Sequence, residues 1–352
     1  MAAVIHNFEI ASTRVDHEKR VMAVVKANGY GHAAVKMAVA LTGRVHSFGV
    51  ACVGEAERLR AAGIEDPVYL LSSVLPSEVP RVVAGGFRPT ISTEQEAINF
   101  NSEAEATGVR LPIQWVIDTG MGRAGTLPSG VRTMAESWAK WPQLKLESIS
   151  SHFPSADEDG DFTQQQLAHF HSIVQDLEDH GIKPDFVHVS NSAGLLGFPI
   201  GPREIVRAGL MLYGISPLPK FQAELRPVIT WKTRVTLVRE LPENWGVSYG
   251  RTFITHKPTL VATLAVGYAD GYPRHLSNRG ADVLIQGVRC PLLGRVTMDQ
   301  LVVDVSHLPS PPQPGAEAVI LGKQGGEEIS ALELAEKSGT IPWEIFTSMH
   351  PD

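Results

Sequence analysis

Between residue 21 and about residue 215, eight short apolar runs alternate with segments of helical periodicity, and few architectures accept that rhythm. The runs are VMAVV (21–25), SFGVA (47–51), VYLL (68–71), RPTIS (88–92), IQWVI (113–117), LESIS (146–150), FVHVS (186–190) and EIVRA (204–208). Segments such as HAAVKMAVALTG, TEQEAINFNSEAEATG and FTQQQLAHFHSIVQDLEDHG lie between them. They space apolar residues three and four apart and often close on glycine, a common helix stop. Eight strands alternating with helices predict an α/β protein with an N-terminal (β/α)8 TIM-like barrel. A doubly wound open sheet is the competing reading, and the strand count favours the barrel.

The rhythm changes near Pro217. PVITWKTRVTLVREL, GVSYGRTFI, TLVATLAVGYADGY, ADVLIQGVRCPLLGR, QLVVDVS and AEAVILG are β-rich runs broken by Gly and Pro. They predict a second, mostly-β C-terminal domain, with the chain divided into 1–217 and 218–352. A length of 352 residues fits two cores better than one. ISALELAEKSG (329–339) reads as a helix behind a Ser330 cap.

Composition excludes several functions. The net charge of −7 argues against a nucleic-acid footprint. No apolar run approaches the ~20 residues of a membrane helix. The start, MAAVIHNFEI, lacks a basic n-region and carries an acid, so no secretory signal is expected and a cytoplasmic protein is. Cys52 and Cys290 are expected as reduced thiols. No metal site is expected: ADEDGD (156–161) lacks EF-hand spacing, and the histidines of HFH (169–171) point apart on a helix. GMGRAG (120–125) matches a dinucleotide fingerprint, but it follows a fifth strand rather than opening a βαβ unit.

Catalytic groups of a barrel sit at the C-terminal ends of its strands. Lys26 closes the first strand, Asp118 follows the fifth, His152 the sixth, Asn191 and Ser192 the seventh, and Arg207 lies near the end of the eighth. A single lysine there would be an ordinary snorkelling side chain. Several polar groups converging on one rim are harder to dismiss. A desolvated lysine forms a Schiff base with an aldehyde, which points to pyridoxal phosphate (PLP). That cofactor also needs a phosphate cradle and a partner for its ring nitrogen. Ser192 and the Gly209-Leu210 turn suit the cradle, and Arg207 suits the ring.

These residues sit in AVVKANGYGH, DTGMGRAG, SHFPSADE, SNSAG, VRAGLMLYG, VSYGRTF, VGYADGYPR and GRVTMDQ. In that order they resemble the motifs of the alanine racemases over nearly the whole chain. The resemblance implies an isomerase that interconverts L- and D-alanine on PLP, supplying D-alanine for peptidoglycan. It implies that Lys26 holds PLP and takes the α-proton of D-alanine, while Tyr249 serves L-alanine. Arg207 would meet the pyridine nitrogen with His152 and Asn191 nearby. Tyr30, Ser192, Gly209 and Leu210 would bind phosphate, and Arg123 and the Met298 backbone the substrate carboxylate. It further implies a homodimer in which Tyr249 and Met298 come from the partner chain.

The physics of racemisation suits those roles. A base is needed on one face of the α-carbon and an acid on the other, and an amine and a phenol provide both. Arginine stays protonated, so at the ring nitrogen it weakens the electron sink and disfavours transamination. Arg207→Glu is therefore expected to raise transamination relative to racemisation, and an unchanged ratio counts against that role. The chain also departs from the family. Many members carry a carbamylated lysine seven residues before the MGR arginine, where Val116 stands here, so Arg123 is expected to be held by another anion. The usual leading strand and Arg-rich close are missing from the sequence. A broader-specificity racemase and a catalytically impaired PLP-binding homologue are the alternatives.

Overall fold

The computed structural model describes residues 1–15 and 20–350. All eight expected barrel strands form: β1 (Val21–Val24), β2 (Ser47–Val50), β3 (Val68–Leu70), β4 (Thr90–Ile91), β5 (Leu111–Val116), β6 (Leu144–Ser150), β7 (Phe186–His188) and β8 (Val206–Ala208). They pair in the orders β3-β2-β1-β8 and β4-β5-β6-β7, and every ladder among them is parallel. Parallel bridges Tyr69–Arg88 and Val187–Glu204 close the two seams. Each strand thus neighbours the next in sequence, and the last returns to the first. That closure excludes the open sheet. All four residues of β1 are buried, as expected of a strand covered on both faces.

The barrel unit contains α1 (Ala2–Ser12), a short turn α2 (Lys26–Tyr30), α3 (Ala34–Leu41), α4 (Val53–Ala61), α5 (Val79–Ala84), α6 (Glu94–Thr107), α7 (Pro128–Glu136), α8 (Gly160–Asp179) and α9 (Ser192–Gly197). Local chemistry sets their starts. Thr93 and Glu96 form a reciprocal capping box at α6. Asp159 accepts the Phe162 N–H at 2.9 Å and starts α8, so the acidic ADEDGD stretch is a helix-capping turn.

The chain forms two compact units, Met1–Arg226 and Pro227–Asp352. Residues 218–226 pack with the first unit, tied to α1 and to Arg14 just beyond it. Arg14 pairs with Glu224 at 2.8 Å, and the Asn7 amide donates to the Arg226 carbonyl at 2.8 Å.

The second unit is built on an antiparallel sheet. Its strands are β9 (Trp231–Leu241), β10 (Gly246–Val247), β11 (Phe253–Ile254), β12 (Thr259–Leu264), β13 (Asp282–Ile285), β14 (Val288–Pro291), β15 (Leu301–Asp304), β16 (Glu317–Gln324) and β17 (Glu327–Ile329). The order is β14-β13-β16-β9-β12-β15, with β17 on β16 and a separate β10–β11 ribbon. Leu241, Val247, Val261 and Leu293 pack a core that joins the ribbon to the sheet. Helices α10 (Ala331–Ser338) and α11 (Pro342–Ser348) follow, and Ser330 caps α10 through the Glu333 N–H as its position in the sequence foretold. Among the described residues no helix is long and apolar enough to cross a membrane, and no cluster of metal-ligating side chains occurs.

Candidate active site

Lys26 leaves the C-terminal end of β1 and enters a turn of left-handed backbone. Ala27, Asn28 and Tyr30 have φ of 52°, 52° and 51°, and Gly29 and Gly31 have 65° and 76°. Each non-glycine residue in that region costs roughly 1–2 kcal/mol, so three in one turn store strain beside the lysine. Gly29 is required twice over: its φ is positive, and a Cβ there would lie 3.1 Å from the Ala34 backbone. Hydrogen bonds offset the strain. Gly29 N–H donates to Val25 O at 2.7 Å, Gly31 N–H to Ala27 O at 3.0 Å, and the Glu55 carboxylate accepts the Ala27 N–H at 2.7 Å. Burial first, then the Arg123 and Arg207 cations, holds the Lys26 ammonium below its ordinary value, against the opposing charge of Glu55. The result is an amine biased toward its neutral, nucleophilic form.

Arg207, in the middle of β8, is buried, with 6% exposure. Its Nη1 donates to the Nδ1 and carbonyl of His188 at 2.7 and 2.6 Å. Its Nη2 donates to Ser151 O at 2.8 Å, Val189 O at 2.9 Å and His152 Nδ1 at 2.9 Å. Both Nη groups are committed, and Nε donates to no group among the described residues. Because guanidinium only donates, both imidazoles must accept through Nδ1. His188 is then the Nε2–H tautomer, with Ser148 Oγ 3.2 Å away as its partner. Burial, followed by Arg207, holds both histidines well below the ordinary imidazole value. Burial also pulls Arg207 down to about 10, opposed by Glu204, which leaves it protonated at neutral pH.

A small cradle lies beside this cluster. A Cβ on Gly209 would fall 2.9 Å from Tyr30 Oη and 3.9 Å from Ser192 Oγ, so the missing side chain keeps that space open. Ser192 Oγ accepts the Gly209 N–H at 3.0 Å. Tyr30 Oη and the Ser192 and Leu210 N–H groups have no acceptor among the described residues. A free hydroxyl donor and unpaired N–H groups on the residues beside an open space are what a phosphate requires. Tyr30 itself is buried, which pushes its phenol up to about 12 and keeps it a donor. Its ring lies 4.8 Å from that of Tyr213, whose hydroxyl donates to Val24 O at 2.8 Å.

Asn191 uses both ends of its amide on backbone, accepting the Gly194 N–H at 2.9 Å and donating to Phe153 O at 3.2 Å. It orients Ser192. Asp118 accepts the Gly120 and Met121 N–H groups at 2.9 and 2.8 Å and shapes the loop that presents Arg123. Arg123 is exposed. Among the described residues no carboxylate pairs with Arg123, so no side chain there stands in for a carbamate at Val116.

The second unit presents Tyr249 and Met298 at its surface, 69% and 52% exposed. Tyr249 sits on a turn strained at Ser248 (φ 59°) and Arg251 (φ 47°), and Ser248 Oγ anchors it to Arg295 O at 2.6 Å. The Met298 carbonyl is taken by the Ala269 N–H at 3.0 Å, which leaves the Met298 N–H as its free backbone group. VSYG, VGYADG and GRVTMD thus form one packed loop cluster.

Three participants escaped sequence reasoning. Glu55 lies in a helix pattern, His188 inside an apolar run, and Tyr213 among core residues. For His188 and Tyr213 the one sequence signal is a polar atom inside an apolar run, and Glu55 looks like an ordinary acid in the first turn of a helix.

A closed barrel with a desolvated lysine at one strand mouth, a buried arginine and an open space at Gly209 beside Tyr30 and Ser192 has the parts of a PLP-type barrel enzyme. Comparison with known proteins narrows the class. Residues 1–217 match the family model for the alanine racemase N-terminal domain, and residues 228–352 match that for the alanine racemase C-terminal domain. The chain belongs to the alanine racemase family. It is 41% identical over 339 residues to the alanine racemase of Symbiobacterium thermophilum, covering 95% of this chain and 89% of that one. Its fold superposes with a TM-score of 0.92 on the alanine racemase of a D-cycloserine-producing Streptomyces lavendulae, at 34% identity and covering 99% and 93% of the two chains. Against the alanine racemase of Bartonella henselae, solved with covalently bound pyridoxal phosphate, the TM-score is 0.88 at 27% identity, covering 99% and 95%.

Proposed function

We propose that this chain interconverts L- and D-alanine with pyridoxal phosphate held on Lys26, as a homodimer in which Tyr249 and Met298 of the partner complete each site. The observation that carries the reading is the lowered Lys26 amine at the mouth of β1, beside the buried Arg207 cation. The cofactor, when bound, supplies the electron sink that makes the α-hydrogen of an amino acid removable.

The chain's own residues do the rest. Lys26, biased toward the neutral amine, moves the α-proton on one face of the substrate. Tyr249 moves it on the other face. Arg207 has only Nε–H to offer, and a donor at the ring nitrogen keeps the sink weak. A weak sink favours rapid return of the proton over transamination. Tyr30, Ser192 and Leu210 bind phosphate around the open space at Gly209, and Arg123 and the Met298 N–H meet the substrate carboxylate. On this reading the enzyme works in the cytoplasm and supplies D-alanine for peptidoglycan.

The test is direct. Protein loaded with PLP is reduced with borohydride and digested, and the labelled peptide is sequenced, while conversion of L-alanine to D-alanine is followed on unreduced enzyme. Label on Lys26 and two-way conversion are expected. Label on another lysine, or no conversion, refutes the reading.

A further inference from the structure

Glu55 lies in the first turn of α4 with 9% exposure, and its two carboxylate oxygens serve two different strand ends. Oε1 accepts the Ala27 N–H at 2.7 Å, and Oε2 accepts the Ala51 N–H at 2.8 Å. Ala27 follows Lys26 and opens the left-handed turn. Ala51 follows β2. The carboxylate therefore ties the ends of β1 and β2 together where the backbone departs from strand geometry. The backbone bonds of the turn start at Gly29 N–H, so they leave the Ala27 N–H without a partner of their own. Without Glu55 that donor, on a residue held at φ 52°, would lose its one partner among the described residues.

The charges around the amine point the same way. Arg123 and Arg207 act on Lys26, His152 interacts with it, and Glu55 is the group among them whose charge favours the ammonium. Charge-assisted hydrogen bonds are the strong kind, which suits a splint over a strained turn.

We propose that Glu55 is a positioning residue for Lys26: through the Ala27 N–H its carboxylate fixes where the amine emerges from β1, and its charge partly offsets the surrounding cations. This rests on Lys26 being the reactive amine of the proposed function, and the test separates the two. In cofactor-free protein, the pH dependence of Lys26 acetylation is measured by peptide mass spectrometry in wild type, Glu55→Gln and Glu55→Asp, with exposed Lys36 as internal reference. Glu55→Gln removes the charge, and the Lys26 midpoint should fall by about one pH unit relative to Lys36. Glu55→Asp keeps the charge and should keep the midpoint near wild type, but it is too short to span both N–H groups. In loaded enzyme both variants should lower kcat about tenfold or more, with the KM for alanine little changed.

A midpoint unmoved in Glu55→Gln, or kcat unchanged in both variants, overturns the proposal. Should Glu55→Gln fail to fold, native-state amide exchange on the wild type decides. The Ala27 and Ala51 amides should be protected together, and an Ala27 amide exchanging at the unprotected rate overturns the splint. If borohydride labels another lysine, the functional reading fails while the Lys26 titration keeps its own answer.

Discussion

Arg207 donates through Nη2 to His152 Nδ1 at 2.9 Å, and its Nη1 makes the equivalent bond to His188 Nδ1 at 2.7 Å. One guanidinium therefore sets the tautomer of two imidazoles, His188 buried and His152 half-buried. Protonating either ring would place a donor against a donor beside a fixed cation. The folded state holds both histidines well below the ordinary value, whereas the unfolded chain titrates them near ~6.5. Their contribution to stability is complete above pH ~6.5. It is lost as pH falls below that point, because the unfolded chain then binds protons that the folded chain refuses. Thermal melts should show Tm flat above this pH and dropping below it. His188→Gln, which can still accept from Arg207, should melt lower overall but with a shallower acid slope. An equal slope in both proteins would place the acid sensitivity elsewhere.

The phosphate cradle depends on an atom that is absent. Gly209→Ala sets a methyl group 2.9 Å from Tyr30 Oη and closes the space. PLP affinity should drop about tenfold or more. Tyr30→Phe should also weaken binding by removing a donor. The double variant should bind no worse than the weaker single one, because removing the hydroxyl makes room for the methyl. Fluorescence titration of the four proteins gives the cycle, and non-additivity of about 1–3 kcal/mol is expected. Strictly additive losses would mean the two residues do not share one cradle.

The barrel was legible in the sequence because eight short, largely apolar runs alternate with segments of helical periodicity, even though LESIS, FVHVS and EIVRA carry polar residues among the apolar ones. Lys26 stood out for the same reason, as a charge where that pattern stops. The left-handed turn after it was half legible. Gly29, Gly31 and Asn28 are residue types that favour it, but Ala27 and Tyr30 carry no such mark, and the turn is held by bonds to the Val25 and Ala27 carbonyls, Glu55 and the Asn28 side chain. Glu55 and His188 were hidden because their partners are brought by the fold from 28 and 19 residues away. The bonds that tie residues 224 and 226 to Arg14 and Asn7 span more than 200 residues of sequence, so no local pattern records them.

Tyr249 carries the sharpest separation of activity from stability. Its side chain is 69% exposed, so Tyr249→Phe should leave stability within about 0.5 kcal/mol of wild type. Racemisation should nevertheless fall roughly 10²- to 10⁴-fold, the usual worth of a positioned acid or base. A melt and a rate measured on the same preparation test both halves. A variant of wild-type rate would remove the phenol from the mechanism.

If each site joins Lys26 of one copy to Tyr249 of the other, two dead proteins should make a live one. Lys26→Ala and Tyr249→Phe homodimers each lack one group in both sites. In a mixed dimer one site carries both lesions and the other carries neither, because Lys26 comes from the Tyr249→Phe chain and Tyr249 from the Lys26→Ala chain. Random exchange of equal amounts gives about half mixed dimers, each with one intact site of two, so activity should recover to about a quarter of wild type. If Lys26 and Tyr249 of the same chain met in one site, every site in every dimer would lack a group, and mixing would restore nothing. Unfolding, remixing and refolding the two variants before assay, with unmixed controls, separates these outcomes. A recovery near zero in well-exchanged dimers would rule out a shared site.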